Sequence, residues 1–266
     1  MLRLTVHGAA GRMGRRVVAL ASEDKALQLV GAVEQATSPH LGEDAGRVAQ
    51  CEKLDIPLTH EFPSGADVVI DFSLPEAFDR CLDQCLTSGA SLVVATTGLR
   101  DAQKTQLEAA ALKIPLVWAP SMSLAVNLTM RLAAQAAQAL QGVSGGLDVE
   151  ILERHHRFKE DAPSGTALKF GELIAEQWDG EVAHVHGREG KTGARTQQEI
   201  GYHAIRVGDN PGEHTIVFGM LGETIEMKVA ASNRDCYATG ALAAAKWLAG
   251  KPPGLYDMFD VLGLNR

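Results

Sequence analysis

Apolar and polar positions along the chain change their period near residue 127. Before it, strand and helix patterns alternate. Residues 2–7 read as a buried strand, broken at Gly8-Ala9-Ala10-Gly11-Arg12-Met13-Gly14. Val17, Val18, Leu20 and Ala21 then recur at helical spacing, and a second apolar run, 27–33, ends at Glu34. Residues 36–66 carry no clear period. Order returns with a strand over 66–73, a helix starting near Pro75 and running through Leu86, a strand over 91–95, a helix over 101–113 and a strand over 115–118. This alternation predicts a parallel, doubly wound sheet whose ligand sits at the carboxyl ends of the strands. Those ends are His7-Gly8, Glu34, Asp71-Phe72-Ser73, Thr96-Thr97-Gly98 and Ala119-Pro120-Ser121-Met122.

Beyond residue 127 the order differs. A helix over 128–141 and a glycine loop lead to a strand beginning at Asp148, in which Val149 and Ile151 share one face and Glu150 and Leu152 the other. A helix over 164–178 follows, then a Gly/Lys/Arg-rich stretch, 186–195, too polar for a core and expected to be mobile without a ligand. Three β-runs (199–207, 213–218, 223–231) joined by turn residues predict an antiparallel meander, and a last helix capped by Ser232 or Asn233 runs to Leu248. The expected class is α/β, a Rossmann-like domain over 1–126 plus an α+β domain over 127–234 with a mainly antiparallel sheet.

Composition adds limits. The 266 residues are 45% hydrophobic and 22% charged, ordinary for a globular protein, and the net charge of −8 argues against broad nucleic-acid or acidic-membrane binding. No run reaches membrane-span length, and the N-terminus enters a strand pattern without a signal-peptide layout. Cys51, Cys81, Cys85 and Cys236 lack a partner set at zinc spacing; they are expected to be reduced structural thiols in a cytoplasmic protein, with no metal site.

Two stretches carry chemistry. The first is the glycine turn between strand and helix: glycines permit a tight turn and close approach of a pyrophosphate, which the helix N-terminus favours. Glu34, twenty residues past Gly14, can accept hydrogen bonds from an adenosine ribose. Gln35 stands where an NADP site often has a basic residue, so NADH or mixed use is favoured; the opposing reading is that Arg12, Arg15 or Arg16 supplies the charge. The second stretch runs over 148–167. It delivers Arg154, His155, His156, Arg157 and Lys159, then Pro163-Ser164-Gly165-Thr166 at a helix start, a cradle for a carboxylate or phosphate. The bland alternative is that Glu150, Glu153, Glu160 and Asp161 offset these charges and Ser164 is a plain cap. His7, His203 and His214 read as structural, and His184 and His186 as surface residues.

The stretch Glu153-Arg154-His155-His156-Arg157-Phe158-Lys159-Glu160-Asp161-Ala162-Pro163-Ser164-Gly165-Thr166-Ala167 resembles the signature of the 4-hydroxy-tetrahydrodipicolinate (dihydrodipicolinate) reductase family. The likeness extends to Gly8–Gly14, Asp71-Phe72-Ser73, Thr96-Thr97-Gly98, Gly187-Arg188-Glu189-Gly190, Gly208-Asp209, Gly212-Glu213-His214-Thr215 and Gly254-Leu255-Tyr256-Asp257-Met258. The resemblance implies hydride transfer from NADH or NADPH to a cyclic dicarboxylate in the diaminopimelate route to lysine. It implies His155 as catalytic histidine, Lys159 as proton donor, and His156, Ser164, Gly165 and Thr166 as substrate carboxylate ligands. Gly8, Ala9, Ala10, Gly11, Arg12, Met13, Glu34, Ala95, Thr96, Thr97, Ala119, Pro120, Ser121 and Met122 would line the cofactor. A homotetramer built through the second domain's sheet is implied too, with 235–266 returning to the first domain. The chain departs from the family at Ala95 (commonly Gly), at Ser121-Met122 (usually Asn-Phe) and at Leu74 (Arg in some members). The competing readings are a related two-domain reductase for another small anion and a non-catalytic dinucleotide sensor.

Overall fold

The computed structural model describes residues 1–265; Arg266, the last residue of the segment expected to return, lies outside the described residues. The chain divides into two compact units: Met1–Leu124 together with the stretch from Arg234 onward, and Ala125–Asn233.

The first unit holds β1 (Leu2–His7), α1 (Arg12–Glu23), β2 (Leu27–Val33), α2 (Ala45–Val48), β3 (Leu58–Thr59), β4 (Val68–Asp71), α3 (Pro75–Ser88), β5 (Ser91–Val94), α4 (Asp101–Ala110) and β6 (Pro115–Trp118). The second runs through α5 (Leu124–Leu140), β7 (Asp148–His155), α6 (Gly165–Ala175), β8 (Ala183–His186), β9 (Glu199–Arg206), β10 (Glu213–Met220) and β11 (Glu223–Ala230). The chain then returns to the first with α7 (Asp235–Leu248), β12 (Gly254–Tyr256) and α8 (Met258–Leu262).

Seven strands of the first unit pair in parallel in the order β12-β6-β5-β4-β1-β2-β3. Alternation within each strand fills both faces: Val68 and Ile70 pack with Val17, Val18, Ala241 and Ala245 of α1 and α7. Val69 packs with Phe78, Leu82 and Leu107 of α3 and α4. Sheets buried on both sides need such uniformly apolar strands. The stretch without a period, 36–66, supplies only α2 and the two-residue β3.

The second sheet runs β11-β10-β7-β9-β8. It is mixed: β7 pairs antiparallel with β10 but parallel with β9, and β8 pairs parallel with β9. The expected meander is therefore corrected, because β7 lies between β9 and β10. Residues 207–212 join those two strands across the end of β7. Six residues can reach about 20 Å, against a spacing of about 10 Å for two strand intervals. Two helix starts also differ. α5 begins at Leu124, ahead of Asn127, and α7 is capped by Arg234 without a side-chain bond, in place of Ser232 or Asn233.

α6 lies against this sheet through Ala167, Phe170 and Ile174, all buried. A Cβ on Gly171 would meet the buried Tyr202 hydroxyl at 1.7 Å. Gly171→Ala is therefore expected to destabilise by about 1–3 kcal/mol through overpacking. Thermal unfolding should show a lower Tm, and a smaller loss when Tyr202→Phe removes the hydroxyl; an unchanged Tm would contradict this packing.

Candidate active site

In the first unit the strand ends surround a cavity of about 540 Å3 lined by His7, Gly8, Gly11, Arg12, Met13, Glu34, Gln35, Phe72, Ser73, Leu74, Ala95, Thr96 and Thr97. Gly8 has φ +75°, and a Cβ there would meet the Phe72 carbonyl oxygen at 2.8 Å; a Cβ on Gly14 would lie 2.1 Å from the Gly8 carbonyl oxygen. Only glycine fits either place. Gly11 caps α1 with no side-chain bond, and the first turn carries no acid, so its N–H groups and dipole favour an anion with no side-chain charge opposing it. The Glu34 carboxylate accepts N–H bonds from Ala10 (2.9 Å) and Gln35 (3.0 Å), which fix it at the cavity edge. These features fit a dinucleotide: a cradle for pyrophosphate and a fixed carboxylate acceptor for a ribose.

Several expected cofactor residues are not among those lining this cavity. Ala9 packs in the core and Ala10 acts through its backbone. Ala119 to Met122 do not line this cavity; Ala119 and Met122 pack in the core, and a Cβ on Gly240 of α7 would touch the Met122 carbonyl oxygen. Of the departures from the family pattern, Ala95 and Leu74 both line the cavity, and Leu74 is 65% exposed. A network absent from the sequence reading lies beneath it: His7 Nδ1 is 2.8 Å from Asp71, whose other oxygen accepts from the Thr96 hydroxyl at 2.8 Å.

The second unit builds its site on β7. Val149, Ile151, Glu153 and His155 alternate onto the buried face, so strand periodicity brings a carboxylate and an imidazole side by side. His155 Nδ1 lies 2.6 Å from Glu153 Oε2. A carboxylate only accepts, so Nδ1 carries the proton and Nε2 is the nitrogen left for chemistry. Arg206 of β9, in register with His155, forks onto both Glu153 oxygens at 2.7 Å each, and the Ser164 backbone N–H donates to Oε1 at 3.1 Å. Burial alone would raise the Glu153 carboxyl, but the bonds from His155 and Arg206 outweigh it and hold the group at about 2.

Ser164 caps α6, its hydroxyl accepting the Ala167 N–H at 3.2 Å and standing 3.1 Å from His214 Nε2. Burial, then the nearby His155, pushes His214 from its ordinary 6.5 to about 4, so at neutral pH it is uncharged and shares a neutral hydrogen bond with the Ser164 hydroxyl. His214, which reads as merely structural in the sequence, thus stands edge-on to His155 with ring centroids 5.2 Å apart. Gly165 and Thr166 open the first turn of α6, and a Cβ on Gly165 would enter open space, leaving room beside the helix N-terminus. Lys159 Nζ lies 2.7 and 2.9 Å from the exposed Asp161 carboxylate. Such a pair is worth about 1 kcal/mol or less and can exchange for a ligand carboxylate. The bend after β7 separates His156 from His155: His155 is buried and His156 half-buried, its ring 6.2 Å from that of Phe158.

Much of the cationic cluster is compensated internally, Arg154 by Glu213, His155 by Glu153 and Lys159 by Asp161. The Gly/Lys/Arg-rich stretch, expected to be mobile, is tied to the sheet's other face. Arg188 and Arg195 both donate to Glu150, which His203 also contacts at 2.8 Å. His184 and His186 stack on Tyr202, 5.7 and 5.1 Å between centroids.

A parallel sheet with a glycine turn and a fixed carboxylate in one unit, and in the other a sheet presenting histidine, lysine and a hydroxyl-lined helix start, mark a two-domain dinucleotide-dependent oxidoreductase. The chain belongs to the dihydrodipicolinate reductase family: the family's N-terminal model matches residues 2–122 and its C-terminal model residues 125–262. It is 67% identical over 271 residues to the 4-hydroxy-tetrahydrodipicolinate reductase of Rhodopirellula baltica, covering 99% of this chain and 97% of that one. It is 48% identical to the enzyme of that name from Alkalilimnicola ehrlichii, covering 98% and 99%. The fold matches a solved structure, dipicolinate-bound dihydrodipicolinate reductase from Paenisporosarcina sp. TG-14, with a TM-score of 0.72, 24% identity and 98% of each chain covered.

The charge pattern sets an acid response. Unfolded, His214 takes a proton near 6.5; folded, it resists until about 4, so stability falls as pH drops through that window. Glu153 and Glu150, both ordinarily 4.5 and both about 2 in the fold, extend the loss from about 4.5 down toward 2. Tm measured against pH should fall below about 6.5, and His214→Asn should flatten the upper segment. A Tm constant between pH 7 and 4 would contradict the buried neutral His214.

Proposed function

We propose that this chain reduces 4-hydroxy-tetrahydrodipicolinate to tetrahydrodipicolinate in diaminopimelate and lysine biosynthesis, with NADH or NADPH as hydride donor. The observation that supports this most is the family match over both units, 67% identity to a reductase of that name across 99% of the chain. Bound at the glycine turn, a nicotinamide dinucleotide supplies the hydride. In this reading Gly8, Gly11, Arg12, Met13 and the open first turn of α1 receive the pyrophosphate, Glu34 the adenosine ribose, and Ala95, Thr96 and Thr97 the nicotinamide half. Ala9 and Ala10 shape the turn, and Ala119, Pro120, Ser121 and Met122 follow β6 at its carboxyl end.

The substrate is a cyclic dicarboxylate. Ser164, Gly165, Thr166 and His156 would hold a carboxylate at the start of α6, where N–H groups and hydroxyls suit an anion. Loss of the 4-hydroxyl as water leaves a conjugated imine; hydride addition to it builds carbanion character, which a positioned acid must protonate, and His155 Nε2 and Lys159 Nζ are the groups for that proton. Releasing Lys159 from Asp161 would free its ammonium for the substrate.

For the cofactor we favour NADH with NADPH also accepted. A fixed Glu34 suits ribose hydroxyls and repels a 2′-phosphate. Of the three arginines that could reverse this, Arg15 donates to the Ala10 carbonyl and reaches His40, and Arg16 forks onto Asp235. Arg12 alone of the three lines the cavity. We also propose a cytoplasmic homotetramer assembled through the second sheet, whose outer face exposes Leu152 and Ile205; no helix among the described residues is long and apolar enough to cross a membrane.

Cofactor oxidation followed by absorbance, with substrate made in situ by the preceding synthase, tests this reading. Turnover is expected with a higher kcat/KM for NADH; no substrate-dependent oxidation with either cofactor would overturn the activity, and a strong NADPH preference the role given to Glu34. His155→Ala and Lys159→Ala should each lower kcat by about 10²–10⁴-fold while NADH binding survives. Near-normal turnover in either would remove that residue from the proton-transfer role.

A further inference from the structure

We propose that Glu153 is a positioning residue that locks the His155 imidazole and the Ser164 helix start into one rigid unit, with Arg206 as its counter-charge. The proposal rests on the reductase reading for what His155 and Ser164 do, but the contacts themselves do not depend on it.

Glu153 is 1% exposed, and its side chain is fully enclosed. Each oxygen takes two donors. Oε2 receives His155 Nδ1–H at 2.6 Å and Arg206 Nη1 at 2.7 Å; Oε1 receives Arg206 Nη2 at 2.7 Å and the Ser164 N–H at 3.1 Å. All four acceptor positions of the carboxylate are used. A glutamine of the same shape has one acceptor oxygen and would turn its NH2 against N–H donors. Stability alone does not call for such a group, because a buried ion pair can be replaced by apolar residues without loss.

What the carboxylate does here is geometric. It fixes the tautomer of His155 with Nδ1 protonated, and so decides that Nε2 is the nitrogen presented for chemistry. Through the Ser164 N–H it also sets the first turn of α6, which carries the carboxylate cradle. Arg206 extends the unit, since its Nη2 also donates to the Asp161 carbonyl at 2.7 Å, and Asp161 is the residue that holds Lys159. The charged and titratable groups facing His155 are therefore Glu153 on β7 and His214 on β10, with Arg206 on β9 beyond Glu153 and, through the Asp161 carbonyl, Asp161 and Lys159 in the loop after β7. Glu153 touches most of them directly or through Arg206.

The test uses the full chain with Glu153→Gln and Glu153→Asp, following kcat and KM, NADH binding as a check on folding, and the imidazole N–H resonances by NMR. In the wild type a downfield Nδ1–H resonance is expected, assigned by its loss in His155→Asn. Glu153→Gln should move or abolish that resonance and lower kcat on the order of 10²-fold with NADH affinity retained. Glu153→Asp, which keeps the charge but shortens the reach, should lose about tenfold and so recover part of the deficit. A folded Glu153→Gln with kcat within threefold of wild type and an unmoved resonance would overturn the proposal. Should that variant not fold, Glu153→Asp decides alone, a kcat within threefold of wild type overturning the proposal. Should the wild type itself show no turnover, the reductase reading fails, and the resonance in Glu153→Gln still decides whether Glu153 positions the ring.

Discussion

The carboxylate of Glu153, enclosed by protein and forked by Arg206, is the constraint on which the second unit's site depends. A buried anion is costly unless every lone pair is met by a donor. The donors here come from β7, β9 and the helix start of α6. Meeting them fixes the parallel register of β7 against β9, in which His155 stands beside Arg206. It also fixes the entry of the chain into α6. Local electrostatics and sheet topology therefore specify one another.

The two units handle charge by different means. The first relies chiefly on backbone: glycines that no Cβ could replace leave room for close approach, and uncapped N–H groups open α1, with Arg12 the one arginine of the three near the turn that lines the cavity. The second uses fixed charges held in pairs, Arg154 with Glu213 and Lys159 with Asp161, beside a neutral His214. The pairs keep the cations organised in the absence of a dicarboxylate, and the exposed ones exchange at little cost. Such an arrangement suits a small doubly charged ring that must be held for hydride transfer and then released.

Most of the fold was legible because its periods are strong. Alternating apolar runs and helices over the first 120 residues read directly as a doubly wound parallel sheet, and the family likeness followed from one fifteen-residue string. The meander misled because turn signals report that strands are joined, not that they are neighbours; nothing local in 199–218 shows that β7 inserts between β9 and β10. The same blindness hid the centre of the site. Glu153 and His155 share a face at a spacing of two, a signal present in the sequence, yet Glu153 read only as one of several offsetting charges. Arg206 and His214 reach it from strands more than fifty residues away, and only the register of the sheet brings them there. The polar 186–195 stretch looked mobile because composition does not reveal that Arg188 and Arg195 share Glu150.

If Glu153 acts through His155, the two behave as one element in turnover. A double-mutant cycle on kcat with Glu153→Gln and His155→Asn measures this directly. The account predicts that Glu153→Gln costs far less in the His155→Asn background than in the wild type, because the imidazole it orients is gone and only its hold on the Ser164 N–H and Arg206 remains. Losses that multiply, each substitution costing its full factor in the presence of the other, would contradict it.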